Sequence, residues 1–433
     1  MKKTLKILLA FCVLLLIAEV AFLARMATRE PEELIQNPPA AETIQTTAAP
    51  ETTVPETTVP PTTIPPEPES FTLTFTGDVT PGCMPGQFNN PKAYVGTVGD
   101  DYEFPFRNMR HVFEADDFTF INLEVVLGLN VGKQAGKTFV FSGPEEYVQI
   151  MTSSSVEAVT LANNHVEDFG IEGYENTKRV LDEAGVAYVE EDKTTIFVTE
   201  SGLRIGLYAD SFDFSTAEIQ KNIQKLREQG AEIVICAFHW GTEGSYRPTS
   251  DQKKIAHAAI DAGADIVYGH HPHVLQPIEE YKDGYIFYSL GNFSFGGNHF
   301  PRDMDSAILQ VTVLRDGSGK ISLDGMTMIP VSISSMKNQN NFQPIPYEAG
   351  TKEYDRTLSK LDGTFAGPDL VVNYDHLKPT EAPTEAPTEA PSSTQAPAEP
   401  PAQEPPAEEP PAQEPPSQEP PAQEPPADTP NPT

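Results

Sequence analysis

Residues 232–295 read EIVICAFHWGTEGSYRPTSDQKKIAHAAIDAGADIVYGHHPHVLQPIEEYKDGYIFYSLGNFSF. The segment opens with an unbroken apolar run, Ile233 to Phe238, which predicts a buried strand delivering His239 at its end. Ile255, Ala259 and Ile260 then recur at helical spacing. A second short strand, Asp265 to Tyr268, runs directly into Gly269-His270-His271-Pro272-His273, and Asp283-Gly284 turns a hairpin back to Tyr288. A strand–helix–strand unit predicts neighbouring parallel strands, and in such sheets sites assemble just beyond the carboxyl ends. One histidine at a strand end most often caps a turn. Four histidines at two such ends point to metal. The two-residue spacing of His271 and His273 puts their imidazoles on one side of an extended chain, with His270 as the alternate.

The same pattern repeats upstream. Phe71 to Thr76 alternates phenylalanine and leucine on one face and ends in Gly77-Asp78. Phe118 to Asn122 ends in Leu123-Glu124, and Val156 to Leu161 ends in Ala162-Asn163-Asn164-His165. Helices are expected near 105–114, 144–153, 171–184 and 216–229, with a further strand from Arg204 to Asp210. Asp305 to Leu314 and Lys320 to Met328 read as a closing hairpin. Strands alternating with helices predict an α/β domain.

Every candidate ligand therefore sits where a strand stops: Asp78, Glu124, Asn164 with His165, His239 and the 270–273 histidines. Taken singly, each has a plainer reading. Asp78 after a glycine suits a turn, Glu124 a helix cap or surface, and Asn163 with Asn164 a turn. Independent accidents at five strand ends are a poor explanation. The set mixes carboxylate, amide oxygen and imidazole without thiolate, which suits Mn, Fe, Zn or Mg. Two such ions about 3.5–4 Å apart can activate a water and hold phosphoryl oxygens. Nearby, Trp240 reads as packing and Asn292 as a group that orients the site. Glu243 and Arg247 are charges in a loop beyond a strand end, and Arg247 is a candidate anion contact.

The runs TGDVTPG, NLE, LANNHVEDFG, HWGTEGSYRPTSDQ, GADIVYGHHPHVLQP and YSLGNFSF resemble, in order and spacing, the CapA-type capsule synthesis proteins, over roughly 71–330. That family is similar to calcineurin-like metallophosphoesterases, so the resemblance implies two stacked mixed sheets flanked by helices. It implies metal ligation by Asp78, Glu124, Asn164, His239, His271 and His273, with Glu124 as the bridging carboxylate. His165 would then be an acid or an oxyanion donor rather than a ligand. One departure stands out. The phosphoesterase pattern begins Asp-x-His, whereas Asp78 is followed by Val79 and Thr80, so one imidazole is missing.

The flanks read differently. Lys2, Lys3 and Lys6 precede an apolar run from Ile7 to Ala24, expected to anchor the chain in a membrane with the remainder outside the cell. A cleaved signal peptide is the competing reading of residues 1–28, and would make the protein secreted. Residues 29–69 form a Thr/Pro/Glu-rich linker, followed by the domain over 70–345 and its extension over 346–378. From 379 onward, three copies of TEAP and variants of PPAQE have no apolar face to bury, and predict a disordered tail. These segments inflate the net charge of -34, and nothing supplies the basic stripe that nucleic acid needs. Of Cys12, Cys83 and Cys236, the last two are expected as free thiols.

The resemblance implies action in assembly, export or anchoring of an anionic capsule polymer, poly-γ-glutamate, or of a cell-wall component. The expected setting is a membrane polymer-synthase complex. A capsule-independent surface metallophosphoesterase and a polymer-binding module with a vestigial site are the competing readings. An acidic chain gains nothing from broad attraction to a polyanion, so recognition falls to metal or to local cations such as Arg247 and Arg302.

Overall fold

The computed structural model describes residues 67–372, except 130 and 133. The expected anchor at 7–24, nearly all of the linker, and the repeats after 379 lie outside these residues. No helix among the described residues is long and apolar enough to cross a membrane.

Two mixed sheets carry the fold. The first has seven strands, in the order Ile345–Pro346, Ile321–Ser332, Asp305–Arg315, Glu69–Phe75, Phe118–Asn122, Ala158–Thr160 and Ala187–Val189. The second has six, in the order Ile278–Tyr281, Gly284–Phe287, Ile266–His270, Ile233–His239, Arg204–Ser211 and Lys193–Val198. Strand parity shows why they stack. Phe71, Leu73, Phe75, Phe118 and Phe120 from the first sheet share one core with Ile233, Ile235, Ala237, Ile266 and Tyr268 from the second. The alternate residues, Val234, Cys236, Phe238 and Val267, pack outward against helices Thr216–Glu228 and Ser250–Asp261. On the other side, Ile121, Leu123 and Val159 face helix Gly170–Ala184 and short helical turns. The result is the helix–sheet–sheet–helix layering that the resemblance implies. Fully burying each such aromatic or aliphatic side chain is worth roughly 1.5–3 kcal/mol.

Parity also positions the site. Counting on by two from Ile233, Ile235 and Ala237 reaches His239; from Ile266 and Tyr268 it reaches His270; from Phe118 and Phe120 it reaches Asn122. All three therefore point between the sheets. The Tyr268 hydroxyl spans that gap and donates to the Thr76 carbonyl at 2.5 Å. Two glycines let chains close at this edge. A Cβ on Gly77 would stand 2.4 Å from the Gly291 carbonyl oxygen, and one on Gly269 would stand 2.3 Å from that of Tyr288.

Several expectations change. The helix near 105–114 contracts to Arg110–Phe113, and the residues before it form turns instead. That near 144–153 divides into a 3-10 turn, Glu145–Tyr147, and Val148–Thr152, after which three serines weaken the helix. Asn292–Phe295 is a four-residue strand pairing in parallel with Asp78–Thr80, too short to announce itself. Helix Lys352–Leu361 was not foreseen; its Thr351 cap accepts from the Tyr354 amide. Cys83 and Cys236 are free and buried.

Candidate metal centre

The expected ligands converge at the carboxyl edge shared by the two sheets. Asp78 and Glu124 have no exposed surface, and Asn122 holds both. Its Nδ2 donates to Asp78 Oδ1 at 2.9 Å and to Glu124 Oε2 at 3.3 Å. Asn163 in turn donates to Asn122 Oδ1 at 3.1 Å and accepts from the His165 amide at 3.0 Å. These two asparagines were not singled out from sequence as site residues, although both stand where their strands end.

Glu124 Oε1 is the centre of the arrangement. It lies 3.7 Å from His239 Nε2, 3.9 Å from His273 Nε2 and 4.0 Å from His165 Nε2, and it has no hydrogen-bond partner. Donors at about 2.0–2.2 Å from one cation stand roughly 3–4 Å from each other. The spacing is too long for hydrogen bonds and suits a shared ion. His239 Nε2 also meets Asn164 Oδ1 at 2.8 Å and His271 Nδ1 at 3.1 Å. Asp78 Oδ2 lies 3.1 Å from His273 Nδ1 but without hydrogen-bond geometry. Ligand atoms of Asp78, Glu124 and His273 all lie within 4.8 Å of one another.

His270 sits deeper than its neighbours. Its Nδ1 contacts Asp78 Oδ1 at 2.7 Å, and its buried Nε2 has no partner. His271 and His273 face the rim, with left-handed φ values of 93° and 55° that histidine seldom adopts. Such strain concentrates at functional sites. Asn292 holds His273 through Oδ1 to Nδ1 at 2.9 Å. Phe212 sets its ring edge-on to both His239 and His271, with centroids 5.6 and 5.0 Å away.

Charge follows from this packing. Burial pushes the Asp78 carboxyl up, but His270 and His273 outweigh it and hold Asp78 well below the usual carboxylate range. Burial, then the Asp78 charge, pushes Glu124 well above its ordinary value. Burial and the neighbouring His271 keep His239 well below the imidazole range, so it stays a neutral lone-pair donor. Burial opposes protonation of His273, but Glu124 and Asp78 raise it to about 10. Unpaired buried charges cost several kcal/mol, and a divalent ion would offset that cost. The orphaned atoms and the donor types fit a metal centre.

His165 Nδ1 contacts Asp168 Oδ2 at 2.6 Å, which turns Nε2 toward Glu124. Asp168 is fully buried and also accepts from the Phe141 amide at 2.7 Å. Its only sequence signal is the three-residue step from His165. Arg247 is not brought to the cluster. Its guanidinium is taken up by Asp369 at 2.7 Å and the Gly367 carbonyl at 2.8 Å. Trp240 is packing, buried against Phe214 and Phe238, with its indole nitrogen donating to the Tyr288 carbonyl at 3.0 Å. A cleft of about 630 Å³ opens beside the cluster, lined among others by His165, Glu243, His273, Phe141, Phe295 and Arg302.

A family model described as "Bacterial capsule synthesis protein PGA_cap" matches residues 72–297. The chain is 33% identical over 295 residues to the capsule biosynthesis protein CapA of Bacillus anthracis, covering 62% of this chain and 68% of that one. It is 32% identical over 263 residues to the PGA biosynthesis protein CapA of Bacillus subtilis (strain 168), covering 54% and 69%. Among solved structures, the NAD nucleotidase of Haemophilus influenzae aligns with a TM-score of 0.35 at 12% identity. That alignment covers 69% of this chain and 56%, less than two thirds, of the other.

Proposed function

The chain belongs to the PGA_cap family of bacterial capsule synthesis proteins, and from that premise we propose that it serves assembly, export or anchoring of a poly-γ-glutamate capsule through a divalent-metal centre. The unpartnered Glu124 Oε1, ringed by three imidazole nitrogens, carries the reading. Asp78, Glu124 and His273 would hold one cation, and Glu124, Asn164, His239 and His271 a second, drawn from Mn, Fe, Zn or Mg. When bound, such ions polarise a phosphoryl or carbonyl oxygen and lower the pKa of a water.

The chain's own groups do the remainder. Asp168 fixes the His165 ring so that Nε2 faces the cluster, where it gives a proton to a leaving oxygen or donates to a developing anion. Asn122 keeps the two carboxylates apart and oriented. Phe141 and Phe295 give the cleft beside the cluster an apolar part, and Arg302 in the same lining offers a cation. In this proposal the domain works outside the cell, tethered through residues 7–24, within a membrane synthase complex.

The test is genetic. A strain lacking this chain should lose surface polymer, the wild-type gene should restore it, and Asp78→Ala or His239→Ala expressed at equal level should not. Normal polymer in the deletion strain removes the capsule role. Restoration by both variants leaves the capsule role standing and removes the metal centre from it.

A further inference from the structure

Glu243 belongs to none of the family motifs' expected ligand positions, yet its carboxylate and the ring nitrogens of His271 and His273 lie within 4.8 Å of one another. Two backbone ties place it there. The Gly244 amide donates to the Pro272 carbonyl at 2.9 Å, pinning the Glu243 loop to the histidine loop. The Leu370 amide donates to the Gly244 carbonyl at 2.9 Å, pinning the same loop from the opposite side. Gly241 and Gly244, at φ 87° and 75°, make the bends that bring the chain back over His271 and His273.

Counting donors shows where a ligand is short. Around His239 stand Glu124, Asn164 and His271, which with His239 give four. Around Asp78 stand Glu124 and His273, with His270 Nδ1 held against its other oxygen at 2.7 Å, and Thr80 stands where the related Asp-x-His pattern has its imidazole. Divalent ions of this class take four to six donors. We infer that Glu243 is a metal ligand of this cluster, a carboxylate brought in on the loop after strand Ile233–His239 beside His271 and His273, adding an oxygen donor to a cluster whose Asp78-Val79-Thr80 motif lacks the imidazole. An oxygen donor in place of an imidazole shifts preference toward a hard ion, Mn²⁺ over Zn²⁺. The inference rests on the cluster holding metal at all.

The experiment is Mn²⁺ titration of the metal-stripped full-length chain. Free Mn²⁺ is followed by its electron paramagnetic resonance signal, and circular dichroism reports folding. Wild type, Glu243→Gln, Glu243→Asp, Asp78→Ala and His239→Ala are compared. Glu243→Gln should weaken Mn²⁺ binding by tenfold or more, or lose one equivalent, with Glu243→Asp recovering part of it. Wild-type Mn²⁺ affinity and stoichiometry in Glu243→Gln, with Asp78→Ala and His239→Ala both defective, overturns the Glu243 inference and leaves the centre intact. Wild-type binding in all variants overturns the centre itself, and the role of Glu243 with it.

Discussion

Two buried charged clusters can be set side by side in the described chain. At the carboxyl edge of the sheets, Asp78 and Glu124 each retain a buried oxygen without a hydrogen-bond partner, and so do ring nitrogens of His239 and His270. Near helix Lys352–Leu361, Asp305 is also buried and the Asp303 side chain is only 7% exposed, yet every carboxylate oxygen there is used. Lys360 donates to both Asp303 oxygens, at 2.9 and 2.7 Å, and to Asp305 Oδ2 at 2.8 Å. Arg356 grips Asp305 with two bonds of 2.6 Å, and Tyr347 and Tyr246 donate to Asp305 and Asp303. Burial pushes Asp305 up, but Arg356 and Lys360 bring it below its usual value. The second cluster is closed, and its charges answer one another. The first keeps buried polar atoms that no protein group satisfies. The difference separates a structural clasp from a ligand site, although both are buried and both are acidic.

The clasp is where the largest stability change is expected. Lys360→Ala leaves Asp303 without its cation and Asp305 with Arg356 alone, and should destabilise the domain by about 3–5 kcal/mol, read by chemical denaturation. A loss under 1 kcal/mol would make the clasp as dispensable as a surface pair. The first cluster should respond to metal instead. Mn²⁺ at about a hundredfold over its dissociation constant should stabilise the metal-stripped protein by about 2.7 kcal/mol. Glu124→Gln should cancel that gain, and equal stabilisation of both proteins would break the comparison.

A third pair of acids sharpens it. Asp116 and Glu157 lie at the opposite end of strand Phe118–Asn122 and take hydrogen bonds from Thr119, at 2.7 and 2.6 Å. Burial raises Glu157 to about 7, from an ordinary value of 4.5. Its folded form holds the proton longer than its unfolded form. Its stabilising contribution is therefore complete below about 4.5 and lost as pH rises through 7. Glu157→Gln should flatten the fall in stability over that window, and an unchanged slope in denaturation at several pH values would contradict it. Smallest is Arg247→Ala. Both partners of Arg247–Asp369 are about half exposed, at 52% and 45%, so the loss should stay below about 1 kcal/mol.

The fold was largely legible because strand parity and strand-end residues are local signals. Ile233 to Phe238 announces a buried strand, and the same parity that buries Ile235 delivers His239 between the sheets. Asp78, Glu124, Asn164, His239, His271 and His273 could be picked out because each follows such a strand. What escaped depends on distant pairing. Asn292–Phe295 is a strand only because Asp78–Thr80 lies beside it. Asn122 belongs to the site because its parity matches Phe118 and Phe120, and it was passed over for the more acidic Glu124 beyond it. Asp168 orients His165 across one turn of chain that reads as a loop. Arg247 misled for the converse reason. A guanidinium beyond a strand end suggests an anion, but its partner, Asp369, lies 122 residues further on in a segment with no pattern of its own.

The most direct test of the central claim is the metal content of the purified full-length chain by elemental analysis, beside Asp78→Ala and His239→Ala. The strand-end cluster predicts about two equivalents of divalent metal in the wild type, reduced in both variants while Lys360→Met keeps them. No bound metal in wild-type protein prepared in metal-replete medium, or equal content in all four, would contradict it.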